Sequence, residues 1–165
     1  MNVEDVNCAE EENCAEEEGE EGSEGRERVR ILLVEDDETH AFIIRRILER
    51  SKLNTEIFEV RDGESAMDFL LNRGDYADKS LYPRPDIVLL DLRLPGIDGT
   101  EVLRRIKEED ELRDLSVVIL TSSESDEDII RTYEDGASGY ILKSAFVLKS
   151  PRMNGLLDII LSLVR

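Results

Sequence analysis

The residues best suited to chemistry each follow a short apolar run of the sequence. Glu35 and Asp36 follow the first run and Asp91 follows a later one, so three carboxylates have similar positions relative to apolar segments. Thr121 and Lys143 follow two further runs and add a hydroxyl and an ammonium group. Carboxylates held close together repel one another, and a hard divalent cation such as Mg²⁺ relieves that repulsion. With a lysine to attract an anion, this set is suited to a phosphoryl group beside a metal ion.

A carboxylate can also be the nucleophile that accepts a phosphoryl group, which forms an acyl phosphate. Asp91 is the best candidate, because it stands alone after its apolar run while Glu35 and Asp36 form a pair. That pair would hold the metal ion. The metal ion and Lys143 would together neutralise the oxygens of the transferred group.

Each of these residues, taken alone, also has an ordinary structural explanation. Asp37 suits the amino terminus of a helix, and Thr121 and Ser122 have the right side chains to cap another. Lys143 alone is compatible with a surface lysine. A functional site is favoured because four apolar runs, in order along the sequence, are each followed by a residue suited to the same chemistry.

The framework that positions these residues is predicted from the hydrophobic pattern. Continuous apolar runs are typical of strands buried on both faces, and amphipathic segments between them are typical of helices. The predicted strands are residues 30–34, 56–60, 86–90, 116–120 and 139–142, and the predicted helices are residues 39–52, 64–72, 99–109, 126–135 and 152–164. Residues 73–85 contain two prolines and predict a long loop. The alternation predicts an α/β fold with a doubly wound parallel sheet, in which ligands bind beyond the carboxyl ends of the strands.

Charge and hydropathy exclude several classes of function. The 165 residues include 40 acidic and 21 basic side chains, a formal charge of −19 with the one histidine neutral. Non-specific binding to nucleic acid or to an anionic membrane requires a basic patch, so this charge argues against both. Apolar runs such as residues 87–90 are far too short to span a membrane, and the acidic amino terminus is unlike a signal peptide. We therefore expect a cytoplasmic protein that binds neither DNA nor membranes.

The excess negative charge is concentrated in residues 1–28, which carry 12 acidic residues and 2 arginines. This composition predicts a disordered acidic tail in front of one domain at residues 29–165. The tail is interpreted either as an interaction or solubilising segment or, preferably, as an extension without a specific role. Cys8 and Cys14 lie in it and are compatible with a redox pair or a soft metal site, although incidental thiols are favoured.

Four segments together resemble a known family. ILLVEDD at residues 31–37, LLDLRLPGIDG around Asp91, VVILTSS around Thr121 and GYILKS around Lys143 resemble the motifs of two-component response regulator receiver domains. The resemblance covers residues 29–165. It implies a flavodoxin-like (βα)5 fold, a doubly wound parallel sheet with strand order 2-1-3-4-5.

The resemblance also implies roles for individual residues. Asp91 would be the phosphoacceptor. Asp36 would bind Mg²⁺ directly, Glu35 would bind it through water, and Arg93 would contribute its backbone carbonyl. Lys143 would pair with the phosphoryl group.

The same resemblance implies a conformational switch. Thr121 would donate a hydrogen bond to a phosphoryl oxygen, and Tyr140 would turn inward when Thr121 moves. Phosphorylation would then favour one of two pre-existing arrangements of the surface near the last strand. A tyrosine of the core is the alternative interpretation of Tyr140.

Two features set this sequence apart from the usual receiver pattern. Ser144 follows Lys143 where a proline is usual, so a cis peptide bond is not expected. The loop at residues 73–85 is also longer than usual. Both features resemble the subgroup similar to the cyanobacterial phytochrome response regulator, which includes stand-alone receivers. That likeness implies a homodimer through the face of the last strand and helix, and no output domain is expected after Arg165.

The function predicted from these residues is that of a single-domain response regulator. It would accept a phosphoryl group from a histidine kinase and signal to a downstream protein or a second response regulator. A phosphorelay intermediate, a phosphate sink and a scaffold with a vestigial site are alternatives. A Mg²⁺-dependent aspartyl-phosphate phosphatase is disfavoured, since that type requires an acid where Arg93 stands. We expect no enzymatic activity beyond self-phosphorylation and self-dephosphorylation, and we interpret His40 as an ordinary surface residue.

Overall fold

The computed structural model describes residues 27–51, 53–122, 125–144, 160 and 162–163. Their framework is a five-stranded parallel sheet with the order β2-β1-β3-β4-β5. The strands are β1 (Val29–Val34), β2 (Thr55–Val60), β3 (Ile87–Asp91), β4 (Ser116–Thr121) and β5 (Gly139–Leu142). The helices between them are α1 (Glu38–Arg50), α2 (Gly63–Leu70), α3 (Gly99–Glu108) and α4 (Asp126–Glu134). The predicted flavodoxin-like fold and its strand order are confirmed.

The sheet is covered on both faces, which explains why its central strands are almost uniformly apolar. Leu32 and Val34 of β1 belong to a core cluster that includes residues of α2 and α3, whereas Ile31 and Leu33 belong to a cluster that includes residues of α1. This alternation follows from the two-residue period of a strand. Side chains of β1 and β3 are buried on both faces, as expected for the middle of a parallel sheet.

Aspartates at the carboxyl edge of the sheet begin three of the helices. Asp37 accepts hydrogen bonds from the backbone N–H groups of Thr39 and His40 and is the N-cap of α1. Asp62 and Asp98 cap α2 and α3 in the same way. Each cap satisfies N–H groups that the first helical turn leaves without partners. These three helices therefore begin at the carboxyl edge of the sheet, and the interpretation of Asp37 as a helix cap is supported.

The segment predicted as a long loop is held together by aromatic side chains. It contains a short 3₁₀ helix (Gly74–Tyr76) and lies at the amino edge of the sheet, between α2 and β3. The rings of Phe69, Tyr76 and Tyr82 pack on one another with centroids 5.0 to 5.7 Å apart. The side-chain amide of Asn72 donates to the carbonyl oxygens of Tyr76 and Tyr82 at 3.0 and 2.9 Å. The loop is therefore a packed part of the fold rather than a polar segment without contacts of its own.

Several sequence-based expectations concern residues at the chain's two ends. The predicted acidic tail and its two cysteines lie outside the described residues, except for positions 27 and 28. The predicted last helix also lies mostly outside them, although Ile160, Ser162 and Leu163 are helical and Ile160 is fully buried. The peptide bond between Lys143 and Ser144 is trans, as no cis bond occurs in the described chain. None of the helices described has the length and apolar character needed to cross a membrane.

Gly99 brings the start of α3 against the end of β3. Its N–H donates to the carbonyl oxygen of Leu92 at 2.9 Å. A Cβ atom at this position would lie 2.1 Å from the carbonyl oxygen of Asp91 and 2.7 Å from the Cα of Leu92. Only a residue without a side chain allows this approach, so Gly99 fixes the path of the backbone just after Asp91.

Replacing Gly99 by alanine should therefore destabilise the fold strongly. The added methyl group meets rigid backbone, and overpacking of this kind costs about 3 kcal/mol of unfolding free energy. Gly96→Ala is the matched control, because Gly96 has a positive φ of 75° but open space around its Cα. That variant should lose only about 1 kcal/mol. Urea unfolding of both variants measures the difference, and equal losses would contradict the steric explanation.

Candidate functional site

The carboxyl ends of four strands bring the predicted site residues to one edge of the sheet. Asp91 and Thr121 are the last residues of β3 and β4, Glu35 directly follows β1, and Lys143 directly follows β5. All four are buried, with exposed fractions of 1 to 8%. Charged residues are rarely buried to this extent unless they are paired. The pairing is therefore the feature that explains the site.

Lys143 is the centre of that pairing. Its Nζ lies 2.8 Å from Asp91 Oδ2, 2.7 Å from Glu35 Oε2 and 3.3 Å from His40 Nδ1. Burial opposes a charged ammonium, but hydrogen bonding and attraction to Asp91 and Glu35 outweigh it, so the pKa of Lys143 is raised. The lysine is therefore a firmly charged cation between two acids.

Asp91 is held by one contact on each of its carboxylate oxygens. Oδ2 accepts from Lys143, and Oδ1 accepts from the backbone N–H of Arg93 at 3.1 Å. The Arg93 side chain is exposed, so this residue contributes to the site through its backbone. These two contacts fix the orientation of the carboxylate at the end of a fully buried strand.

Glu35 is the most constrained acid of the site. Its Oε1 accepts from the N–H of Asp37 at 3.1 Å. Its Oε2 forms an ion pair with Lys143 Nζ at 2.7 Å, and it has no hydrogen-bond partner in the described part of the chain. Burial, with a smaller contribution from the negative charge of Asp91, raises the pKa of Glu35 to about 7, against the opposing effect of Lys143.

The three acids form a candidate metal site. Glu35, Asp36 and Asp91 each offer an oxygen atom, and these atoms lie within 4.8 Å of one another. Asp36 is exposed and connects the buried pair to solvent. Hard carboxylate oxygens suit a divalent cation that keeps several of its waters, and Glu35 Oε2 is a buried acceptor without a hydrogen bond in the described part of the chain that such a cation would satisfy. The residues present therefore fit a divalent metal ion.

Thr121 and Tyr140 lie beside the charged cluster. Together they line a small cavity with residues of α4. Tyr140 is half-buried on β5, and its ring meets the exposed ring of Tyr133 edge to face, with centroids 5.9 Å apart. The structure places both residues at the lining of the same cavity. Their switching roles stay predictions.

His40 is the site residue that sequence reasoning missed. It was interpreted as an ordinary surface residue, but its Nδ1 contacts Lys143 and its side chain is only 36% exposed. The available signal was its position in the first turn of α1, three residues after the cap Asp37. Because that turn starts at the carboxyl edge of the sheet, a residue there faces the site.

The burial of Glu35 predicts a specific dependence of stability on pH. The folded protein keeps a proton on this carboxyl up to about pH 7, whereas the unfolded chain loses it near the ordinary value of 4.5. Unfolding between these values releases a proton, so this residue makes the unfolding free energy fall as pH rises, by a few kcal/mol at most.

Glu35→Gln should remove that contribution. Unfolding free energies measured from pH 4.5 to 7.5 in EDTA should fall more steeply with pH in the wild type than in Glu35→Gln. Asp75→Asn, which removes an exposed acid far from the site, serves as the control and should keep the wild-type slope. Identical slopes for wild type and Glu35→Gln would show that Glu35 is not perturbed by burial.

Known proteins share this fold and much of this sequence. Residues 31–147 match the response regulator receiver domain family. Response regulator Rcp1 of Synechocystis sp. is 41% identical over 114 residues, which are 69% of this chain and 76% of Rcp1. The crystal structure of the Mn²⁺-bound form of Rcp1 has a TM-score of 0.64 and 36% identity, covering 82% of this chain and 89% of that one. The crystal structure of the phosphorylated cyanobacterial phytochrome response regulator RcpA has a TM-score of 0.67 and 36% identity, covering 83% and 91%. The chain therefore belongs to the response regulator receiver domains, the phosphoryl-accepting modules of two-component signalling.

Proposed function

We propose that this protein accepts a phosphoryl group from a histidine kinase on Asp91 and signals through a protein surface that changes on phosphorylation. The observation that carries the proposal is the contact of Lys143 Nζ with Asp91 and Glu35, beside the exposed carboxylate of Asp36. It combines a nucleophile, a fixed cation and a candidate metal site at one sheet edge. The structural likeness to phosphorylated RcpA supports the same conclusion.

In the transfer step, a carboxylate oxygen of Asp91 attacks the phosphorus atom of a phosphohistidine. A P–O bond forms as the P–N bond breaks, and the electron pair of that bond stays on the histidine nitrogen. Lys143 lies close enough to Asp91 to neutralise oxygens of the transferred group without rearrangement. Asp91 therefore acts as the nucleophile and Lys143 as the electrostatic partner.

The metal ion of this proposal is Mg²⁺. Asp36 and Asp91 would bind it directly, Glu35 would bind it through water, and Arg93 would contribute its backbone carbonyl. When bound, Mg²⁺ supplies positive charge that neutralises oxygens of the phosphoryl group. The Mn²⁺-bound structure of Rcp1 supports a divalent cation in a receiver of this kind.

Signal output involves Thr121 and Tyr140. The Thr121 hydroxyl would donate to a phosphoryl oxygen, and the ring of Tyr140 would then turn inward, towards the cavity that the two residues line. The proposed change concerns the surface of α4 and β5, where Tyr133 exposes 49% of its area. Such a change shifts the population between two arrangements of one surface.

The proposed partners follow from this function. They are a histidine kinase, a downstream protein or second response regulator, and a second copy of the chain paired through β5 and the predicted last helix. That helix lies mostly outside the described residues. We also propose that the protein works in the cytoplasm, without direct binding to DNA and without enzymatic turnover of other substrates.

The phosphoacceptor assignment predicts the outcome of a labelling experiment. Incubation with Mg²⁺ and acetyl phosphate should give an adduct that is stable to acid but labile to base and hydroxylamine. Asp91→Asn should abolish this adduct, because an amide is not a comparable nucleophile. Asp37→Asn is the matched control, since it neutralises a neighbouring acid while an asparagine still caps α1.

Two results would overturn this assignment. One is labelling of Asp91→Asn at the wild-type level, which would place the phosphoryl group elsewhere. The other is steady release of phosphate from unrelated phosphomonoesters, which would indicate a phosphatase. Mass spectrometry of the adduct and a phosphate-release assay distinguish the two.

The metal assignment predicts the effect of a second substitution. Asp36→Asn removes a charged ligand from the solvent side of the site, so the dissociation constant for Mg²⁺ should rise at least about tenfold. An Mg²⁺ titration followed by amide resonances of the segment between β1 and α1 measures this constant. Asp62→Asn, which changes a helix cap outside the acidic cluster, should bind Mg²⁺ like wild type, and an unchanged constant for Asp36→Asn would contradict the assignment.

A further inference from the structure

Three groups in the described part of the chain contact the Lys143 ammonium. It donates a hydrogen bond to Asp91, forms an ion pair with Glu35 and lies 3.3 Å from Nδ1 of His40. An ammonium only donates, so a hydrogen bond at this contact requires a lone pair on Nδ1 and the ring proton on Nε2.

The position of His40 is set by its own backbone. Its N–H donates to Oδ1 of the helix cap Asp37 at 3.0 Å, which anchors the first turn of α1 beside the sheet edge. His40 and Lys143 lie 103 residues apart in the sequence, and the contact joins α1 to the end of β5. The imidazole is thus held beside the ammonium by a helix whose first turn is anchored at the sheet edge.

Phosphorylation would change the other two acceptors but not His40. The carboxylate of Asp91 becomes the mixed anhydride of an acyl phosphate, so its remaining carbonyl oxygen is uncharged and a weaker acceptor, while the negative charge lies on the phosphoryl oxygens. Glu35 belongs to the acidic cluster that would contact a metal ion. His40 is not one of the three acids of that cluster, although its Nδ1 lies 3.9 Å from Glu35 Oε1, so its contact with Lys143 is available in both states.

We propose that His40 is a positioning residue that holds the Lys143 ammonium in place toward the group transferred to Asp91. The proposal rests on the proposed function, because it concerns the same transfer step. Without the imidazole, the ammonium is held only by two carboxylates and settles between them, where it is less available to a phosphoryl oxygen. His40 acts on the reaction only through Lys143.

Two substitutions separate the hydrogen bond from the volume of the side chain. His40→Leu removes the acceptor but keeps an apolar group of similar size, and phosphorylation by acetyl phosphate in Mg²⁺ should slow about tenfold. His40→Asn places an oxygen where Nδ1 lies, and its rate should stay within about twofold of wild type. Thr39→Ala, an exposed neighbour in the same turn, controls for changes in α1 itself.

A second readout needs neither metal nor phosphoryl donor. A buried ammonium held by hydrogen bonds and an ion pair exchanges its protons slowly, so the Lys143 side chain should give a resolved ¹H–¹⁵N signal, assigned by its loss in Lys143→Arg. The signal should persist in the wild type, Thr39→Ala and His40→Asn, and should shift or broaden beyond detection in His40→Leu. Thermal unfolding of each variant verifies that it is folded under the conditions used.

The two readouts together decide the proposal. Slower phosphorylation and an altered signal in His40→Leu, both restored in His40→Asn, support it. An unchanged Lys143 signal in His40→Leu, or a His40→Asn variant that behaves like His40→Leu, overturns it. Failure of the wild type to label Asp91 would overturn the proposed function instead, while the metal-free signal would still show whether His40 positions Lys143.

Discussion

The ion pair of one buried ammonium with two buried carboxylates is the interaction on which the site depends. Lys143 contacts both Asp91 and Glu35, so the cluster carries a net negative charge inside the protein. Burying charges is costly, and one cation leaves one carboxylate uncompensated. The uncompensated charge is relieved either by a proton on Glu35, whose pKa of about 7 reflects this, or by a second cation. A metal ion bound at this site would thus restore the charge balance of a buried space.

The order of the strands is what makes this cluster possible. Glu35, Asp91 and Lys143 are far apart in the sequence, but β1 pairs with β3 and β4 lies between β3 and β5. The N–H of Lys143 donates to the carbonyl oxygen of Thr121 at 2.8 Å, so the register of β4 and β5 also sets the level of the lysine. Backbone pairing of the strands therefore brings these residues to the same edge of the sheet, close enough for their side chains to make contact.

The strands, the helices and the acids at the strand ends were predictable because buried segments are recognisable in the sequence by their apolar residues. The uninterrupted apolar run of β3 and the position of Asp91 after it follow from that rule. His40 and the aromatic cluster of Phe69, Tyr76 and Tyr82 were not predicted. Their contacts join residues through side-chain directions, and these depend on helix rotation and loop packing rather than on periodicity. For the same reason, the sequence does not reveal that Glu35 accepts a hydrogen bond through Oε1 but none through Oε2 in the described part of the chain.

The loop between α2 and β3 has a further consequence for the architecture. Its aromatic rings and the Asn72 amide consolidate it locally, and Leu81 exposes 63% of its area at its surface. It is separated from the charged edge by the length of the strands, roughly 17 to 20 Å. The length and sequence of this loop can therefore change without altering the chemistry at the charged edge. The same segment offers an attachment point for a fluorophore or an inserted peptide.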